Sequence, residues 1–204
     1  MIILAANSNS KGEQLEALTV RLLQHRKYRN CTSNVMANGA EIDVRGECEL
    51  AGLGSTRTQR LLCECKAHRD AVGMTQWCKF LGKLFHEEAC TGTEVAGCFI
   101  ALSGVNGHVQ GNYDELRRHR TSVTLLHGDE LLDLVQEIIP LLSLTEISER
   151  VSQLTSRTAS RFEPAYHEGR LYWLVLFSGG AFTIFASDGS SVEDDESHVL
   201  APMV

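Results

Sequence analysis

The chain has 204 residues, 43% of them apolar and 22% charged, with a formal charge of −7. That is enough apolar material for one compact domain with an appendage or for two small domains, and no run approaches the roughly 20 apolar residues that span a bilayer. Seven cysteines, at positions 31, 48, 63, 65, 78, 90 and 98, are an odd number without a repeating spacing, which argues against the disulfide framework of a small secreted domain and for reduced core residues.

The opening MIILAANSNSKG has neither a basic leader nor an apolar stretch long enough for a signal peptide, so the cytoplasm is the expected compartment. Leu15, Leu18, Leu22 and Leu23 fall at helical spacing behind Glu13 and Glu16, which predicts an amphipathic helix over about 10–26. AEIDVRGECEL alternates and reads as a strand with a bulge at Gly46, AGLGSTRTQ as a loop, and RLLCECKA as a second strand, together a hairpin-like pair. In 71–90, Trp77, Phe80, Leu81, Leu84 and Phe85 recur at i, i+3, i+4, i+7 and i+8, a helix with one strongly apolar face. VAGCFIALS is a continuous apolar run of the kind that forms a buried strand, ended by SGVNG. A helix around 111–120, a short strand SVTLLH and a helix from Asp129, as N-cap, to about Ser143 complete the order α-β-β-α-β-α-β-α.

The texture changes after about 157, where aromatic and β-branched runs broken by EG, SGG and DG predict an antiparallel meander of about three strands. Residues 187–204 then contain five acids (Asp188, Glu193, Asp194, Asp195 and Glu196) and no Lys or Arg. Without them the chain is close to neutral, which neither supports nor excludes nucleic acid as a partner. The acidic segment reads as mobile, and the apolar VLAPMV after it suggests the N-terminal part of a longer polypeptide.

The chemistry concentrates in LLCECKAHRD. Side chains alternate along a strand, so Leu61, Cys63 and Cys65 face one way and Leu62, Glu64 and Lys66 the other. A C-x-C pair in an apolar strand lacks the C-x₂₋₄-C turn geometry of structural zinc sites, and core packing accounts for it better. Glu64 and Lys66 are separated by about 6.6 Å along one face, close enough to address one phosphate. On the preceding strand Glu41, Asp43 and Arg45 form the polar face, and neighbouring strands about 4.8 Å apart would set Asp43 beside Glu64. Two carboxylates that close repel unless a proton or a cation joins them, and their hard oxygens select Mg²⁺ or Mn²⁺, with the carbonyl of Cys65 as a further ligand. The ion would polarise a phosphoryl oxygen and activate water while Lys66 orients that water or balances transition-state charge. His68 and Arg69, following the strand, and Lys79 and Lys83, one turn apart on the next helix, read equally as phosphate contacts or as ordinary solvated groups. The same holds for the cluster Arg117, Arg118, His119 and Arg120; Tyr172, Trp173 and Phe177 read as core or interface rather than as base-stacking platforms.

GAEIDV, followed after about twenty residues by CECKAHRDAVG and the helix KFLGKL, resembles the PD-(D/E)xK nuclease superfamily, and within it the Mrr-like restriction endonucleases. The resemblance runs from about Lys11 to Ile139, with GEQLEAL similar to the first helix and GCFIALSGVNG and VTLLHGDELLDLV to the later core strands and closing helix. It implies metal ligation by Asp43 and Glu64, catalysis by Lys66, a metal-site contribution from Glu16 on the first helix (with Glu13 as the alternative) and a polar role near the nucleic acid for Gln76. The sequence departs from the pattern at Ile42, where a proline is usual, and at Glu64, where Mrr-like members often carry Gln; nothing matches after 157.

The fold expected is α/β, a restriction-endonuclease-like core over 1–156 with a mixed central sheet flanked by helices, and a small antiparallel β extension over 157–204. The activity expected is Mg²⁺-dependent hydrolysis of DNA phosphodiester bonds, in restriction or anti-phage defence. Double-strand cutting is easiest for a homo-oligomer, and a sensor or NTPase module is an expected fused or associated partner. The rival readings are a non-catalytic nucleic-acid-binding or assembly module on the same fold, and a nuclease acting on junctions or RNA.

Overall fold

In the computed structural model, residues 1–37, 39–51, 56–119, 122–192 and Leu200 are described. They form two compact units, one of Leu15–Leu131 and one of Met1–Gln14 with Leu132–Val204.

The helix α1 (Ser8–His25) starts where the side chain of Asn7 accepts the backbone N–H of Ser10 at 3.0 Å and buries Leu15, Leu18, Thr19, Leu22 and Leu23. It stops at Lys27, whose φ of 67° places the chain in the left-handed region. There the N–H of Tyr28 bonds to the carbonyl of Leu23 and that of Lys27 to Gln24, so two otherwise unpaired carbonyls of the last turn are satisfied.

Within Leu15–Leu131, β2 (Arg29–Ala37), β3 (Ala40–Ala51), β4 (Thr56–Lys66), β5 (Val95–Ala101) and β6 (Val123–His127) lie side by side in chain order. The first three are antiparallel and β4, β5 and β6 are parallel. The sheet is therefore mixed, as expected. The parallel strands are linked by α2 (Met74–Thr91) and α3 (Gly107–His119), because a parallel connection needs a crossover. Trp77, Phe80 and Leu84 of α2 and Val109 and Tyr113 of α3 pack with Leu62, Phe99 and Leu125 of the strands into one core. Trp77 meets Phe99 and Tyr113 edge to face, with ring centroids 5.4 and 6.1 Å apart.

Several expectations are corrected here. β2 was not foreseen. Gly46 makes no bulge, since β3 and β4 keep one register from Val44↔Cys63 to Ala51↔Thr56; the irregularity falls on β2, between Arg29 and Thr32. What Gly46 provides is clearance, because a Cβ there would stand 3.2 Å from Leu23 and 3.4 Å from the thiol of Cys31. Thr56–Gln59 of the expected loop already belong to β4, and residues 52–55 lie outside the described ones. Phe85, expected on the apolar face of α2, is 71% exposed. The helix expected from Asp129 to about Ser143 ends sooner, as α4 (Gly128–Gln136), and α5 (Leu144–Leu154) after it was not foreseen. Pro140 prevents a continuous helix, and Ser143 with Glu146 starts the second by a reciprocal capping box. Asp129 is not a cap; it lies in the first turn of α4, where the helix dipole favours it.

The other unit holds a second sheet in the order β1-β7-β8-β9, made by β1 (Ile2–Ile3), β7 (Ala159–His167), β8 (Arg170–Phe177) and β9 (Phe182–Ala186). The last three are the expected meander, and β1 adds a parallel fourth strand. Alternate residues of β8 feed opposite cores: Tyr172 and Leu174 join Leu4, Ala165, Ile184 and Leu200, while Trp173, Val175 and Phe177 join Ile147 and Val151 of α5. The three aromatics singled out in the sequence are thus core residues. Most of the acidic segment, residues 193–199, and residues 201–204 of VLAPMV lie outside the described residues.

Gly97 of β5 tests how closely α2 sits on the sheet. A Cβ there would lie 2.8 Å from Phe80 and collide with Leu84. Gly97→Ala is expected to cost about 1–3 kcal/mol through overpacking, read by chemical denaturation; unchanged stability would show that the helix packs less tightly than described.

Candidate active site

The end of β4 positions the candidate residues. Leu61 to Cys65 are buried without a break, so both faces of the strand are covered. The thiol of Cys65 lies 3.4 Å from the hydroxyl of Thr19 on α1, while Leu62 packs into the core of α2 and Glu64 meets a lysine of that helix. Alternation thus sends the thiols one way and Glu64 the other, as the sequence reading held. Glu64 is however no residue of an open face; it is 5% exposed.

A buried carboxylate must be paired or neutralised, and Glu64 is paired at both oxygens. Lys66 Nζ is 2.7 Å from Oε1 and Lys83 Nζ is 2.5 Å from Oε2. Asp43 arrives on β3 one residue beyond the last paired position, Val44↔Cys63. Its Oδ2 accepts the backbone N–H of Cys65 at 2.7 Å and stands 3.7 Å from Lys66 Nζ. Two carboxylates and two ammonium groups thus gather at the carboxyl end of β4.

Their titration reflects this crowding. Burial, then the charge of Glu64, raises the carboxyl of Asp43 above its ordinary value, against the Cys65 N–H, Lys66 and Lys83, which lower it. Burial depresses the ammonium of Lys66, but its hydrogen bond to Glu64 and the charges of Glu64 and Asp43 outweigh that and leave it raised. Burial pushes the thiol of Cys65 well up, with the charge of Asp43 and, more weakly, of Glu16 adding to it and the Thr19 hydrogen bond opposing.

The structure therefore brings together Asp43, Glu64, Lys66 and Lys83. Glu16 is half-buried on α1 and within electrostatic reach of Cys65, while Glu13 is exposed. Among the described residues no three carboxylate, imidazole or thiol groups stand close enough to share one ion, so Glu16 does not join Asp43 and Glu64 in a ready-made triad. Gln76 is half-buried and Lys79 exposed on α2, and His68 and Arg69 are exposed just past β4. Arg118 and His119 pair with Glu115 at 2.7 and 3.6 Å, and Arg120 lies outside the described residues. Cys63, Cys65 and Cys98 are buried free thiols.

Sequence reasoning missed the part of Lys83, which it treated as a member of a surface stripe. The available signal was its position: it follows Phe80 by three residues and precedes Glu87 by four, and both are buried, so it flanks the packed face of α2. It also missed a second buried acid on that helix. Glu87, 3% exposed, is ion-paired with Arg60, and Arg60 Nε lies 3.8 Å from Glu47.

The family model Mrr_cat, described as a restriction endonuclease, matches residues 8–135. No curated protein matches. Among solved structures, the protein of unknown function AF1548 is 15% identical, with 71% of this chain and 78% of that one covered and a TM-score of 0.46. The DNA modification-dependent restriction endonuclease AspBHI is 12% identical, with 64% and 36% covered and a TM-score of 0.39. The MspJI restriction endonuclease, in complex with a 27-mer oligonucleotide, is 15% identical, with 62% and 28% covered and a TM-score of 0.39. The chain spans about a third of the length of these last two. Among the described residues no helix is long and apolar enough to cross a membrane.

The raised carboxyl of Asp43 has a consequence for the metal-free protein. A folded-state value above the unfolded one means that charging Asp43 destabilises the fold as pH rises through that interval, and the penalty is fully present above the folded value. Asp43→Asn is expected to raise the melting temperature at pH 7 without divalent ions, and the gain should vanish toward pH 3. A lowered melting temperature at pH 7 would contradict this electrostatic account.

Proposed function

The chain belongs to the Mrr_cat family of restriction endonucleases, and from that premise we propose that it hydrolyses DNA phosphodiester bonds with a divalent metal held by Asp43 and Glu64. The observation that carries the reading is the meeting of these two carboxylates at one lysine ammonium, Lys66, 3.7 Å from the first and 2.7 Å from the second. The donor set fits the ion: two carboxylates and the carbonyl of Cys65 are hard oxygens of the kind that Mg²⁺ and Mn²⁺ take. Burial and then the charge of Glu64 raise the carboxyl of Asp43, and the second of these is a repulsion that a cation would relieve. Glu16 is assigned a contribution to the metal site by the resemblance of GEQLEAL alone, since it does not stand together with Asp43 and Glu64.

When bound, the ion supplies Lewis-acid polarisation of a phosphoryl oxygen and a more acidic water. The chain's own residues do the rest. Asp43 is oriented by the N–H of Cys65, so its position is set by the backbone of the strand that carries Glu64. Lys66 presents an ammonium held between both acids, placed to stabilise charge on the phosphate as the water oxygen bonds to phosphorus and the bond to the leaving oxygen breaks. Gln76, Lys79, His68 and Arg69 are assigned to the nucleic-acid backbone, with contacts that position the strand without reading its sequence.

The same reading assigns the chain to restriction or anti-phage defence in the cytoplasm. It would act as a homo-oligomer that cuts both strands, and as the effector part of a larger protein or assembly with a sensor or NTPase module.

Plasmid cleavage in Mg²⁺ tests the core of the proposal. Asp43→Ala, Glu64→Gln and Lys66→Ala are each expected to lower the rate by at least about 100-fold, the scale on which removal of one preorganised charge acts. Cleavage by Asp43→Ala and Lys66→Ala at the unmodified rate would overturn the assignment.

A further inference from the structure

We infer that Lys83 is a built-in counter-ion on Glu64, which a divalent metal must displace in order to bind. The inference rests on the metal-site reading above and goes beyond it to the way the site is loaded.

Glu64 has two carboxylate oxygens, and each holds an ammonium, Lys66 on Oε1 and Lys83 on Oε2. With Asp43 the cluster sums to two negative and two positive charges. A metal-free carboxylate that is 5% exposed requires such compensation. A divalent ion entering beside Asp43 and Glu64 adds two positive charges to a cluster already neutral, and its repulsion of the two ammonium groups favours the departure of one.

The geometry selects which. Lys66 belongs to the strand that carries Glu64, two residues on, and is bracketed by both acids, at 2.7 and 3.7 Å. Lys83 belongs to α2 and reaches Glu64 from across the sheet face, at the end of a four-carbon stem, with its side chain 22% exposed. Its ammonium can leave Oε2 by rotation of that stem, with no change in the backbone of helix or strand. Metal and Lys83 are thus competing counter-charges of one carboxylate. The exchange keeps Glu64 compensated throughout and frees a cation beside the phosphate that the metal binds.

The test is Mn²⁺ binding by the intact chain, read as loss of the free-ion signal in electron paramagnetic resonance, for the parent, Lys83→Met, Lys83→Arg and Glu64→Gln. Lys83→Met, which removes the competitor, is expected to bind Mn²⁺ about tenfold tighter, a change of about 1.4 kcal/mol. Lys83→Arg keeps a cation on Glu64 and should bind no tighter than the parent, and Glu64→Gln should lose the site. If Lys83→Met binds no tighter than the parent, or Lys83→Arg tightens as much as Lys83→Met, the displacement is wrong although the metal site stands. If the parent shows no binding that depends on Glu64, both this inference and the metal-site reading fall. A second measurement needs no variant. The ammonium resonance of Lys83 should shift and exchange faster at saturating Mg²⁺ than in the metal-free protein, and an unchanged resonance overturns the inference.

Discussion

Burying the carboxylate of Glu64 is the constraint to which the rest of the site answers. Its strand is covered on both faces, so the charge stands away from bulk solvent at 5% exposure. A buried ion deprived of its partner costs about 3–5 kcal/mol, a large part of the roughly 5–15 kcal/mol that holds a domain together. The two lysines are therefore part of the fold: one is fixed by the strand that carries the acid, the other by the helix packed over it.

The helix can serve because it sits close. Gly97 removes the side chain that would hold α2 off β5, and Trp77, Phe80 and Leu84 fill the space between. Asp43 completes the site by a different device. The paired register of β3 and β4 ends at Val44↔Cys63, and the carboxylate of the next residue takes the N–H of Cys65. An acid that the sheet itself orients is the kind of preorganised group that metal-assisted phosphoryl transfer needs.

That Asp43, Glu64 and Lys66 meet was legible in the sequence because strand alternation acts over two residues and the antiparallel partner lies nearby in the chain. Cys63 and Cys65 were legible as core for the same reason. Lys83 was not: helical spacing showed that it flanks the apolar face of α2, but not which residue of the sheet faces it. β2 escaped because its run RNCTSNVMA is polar and bends at Asn30 and Asn34, whose φ values are positive. The helix expected up to Ser143 overran α4 because apolar residues continue at helical spacing, as Ile138 and Ile139, up to Pro140, and α5 beyond that proline was not foreseen. β1 has two residues, and its partner β7 lies more than 150 positions away, so no local pattern announces it.

The central claim, that Asp43 and Glu64 form one divalent-metal site at the end of β4, is tested most directly by locating the ion. Crystals grown with Mn²⁺ and measured at the manganese absorption edge should show an anomalous peak bonded to carboxylate oxygens of both Asp43 and Glu64. Well-ordered crystals that hold Mn²⁺ elsewhere, or on only one of the two acids, would contradict it.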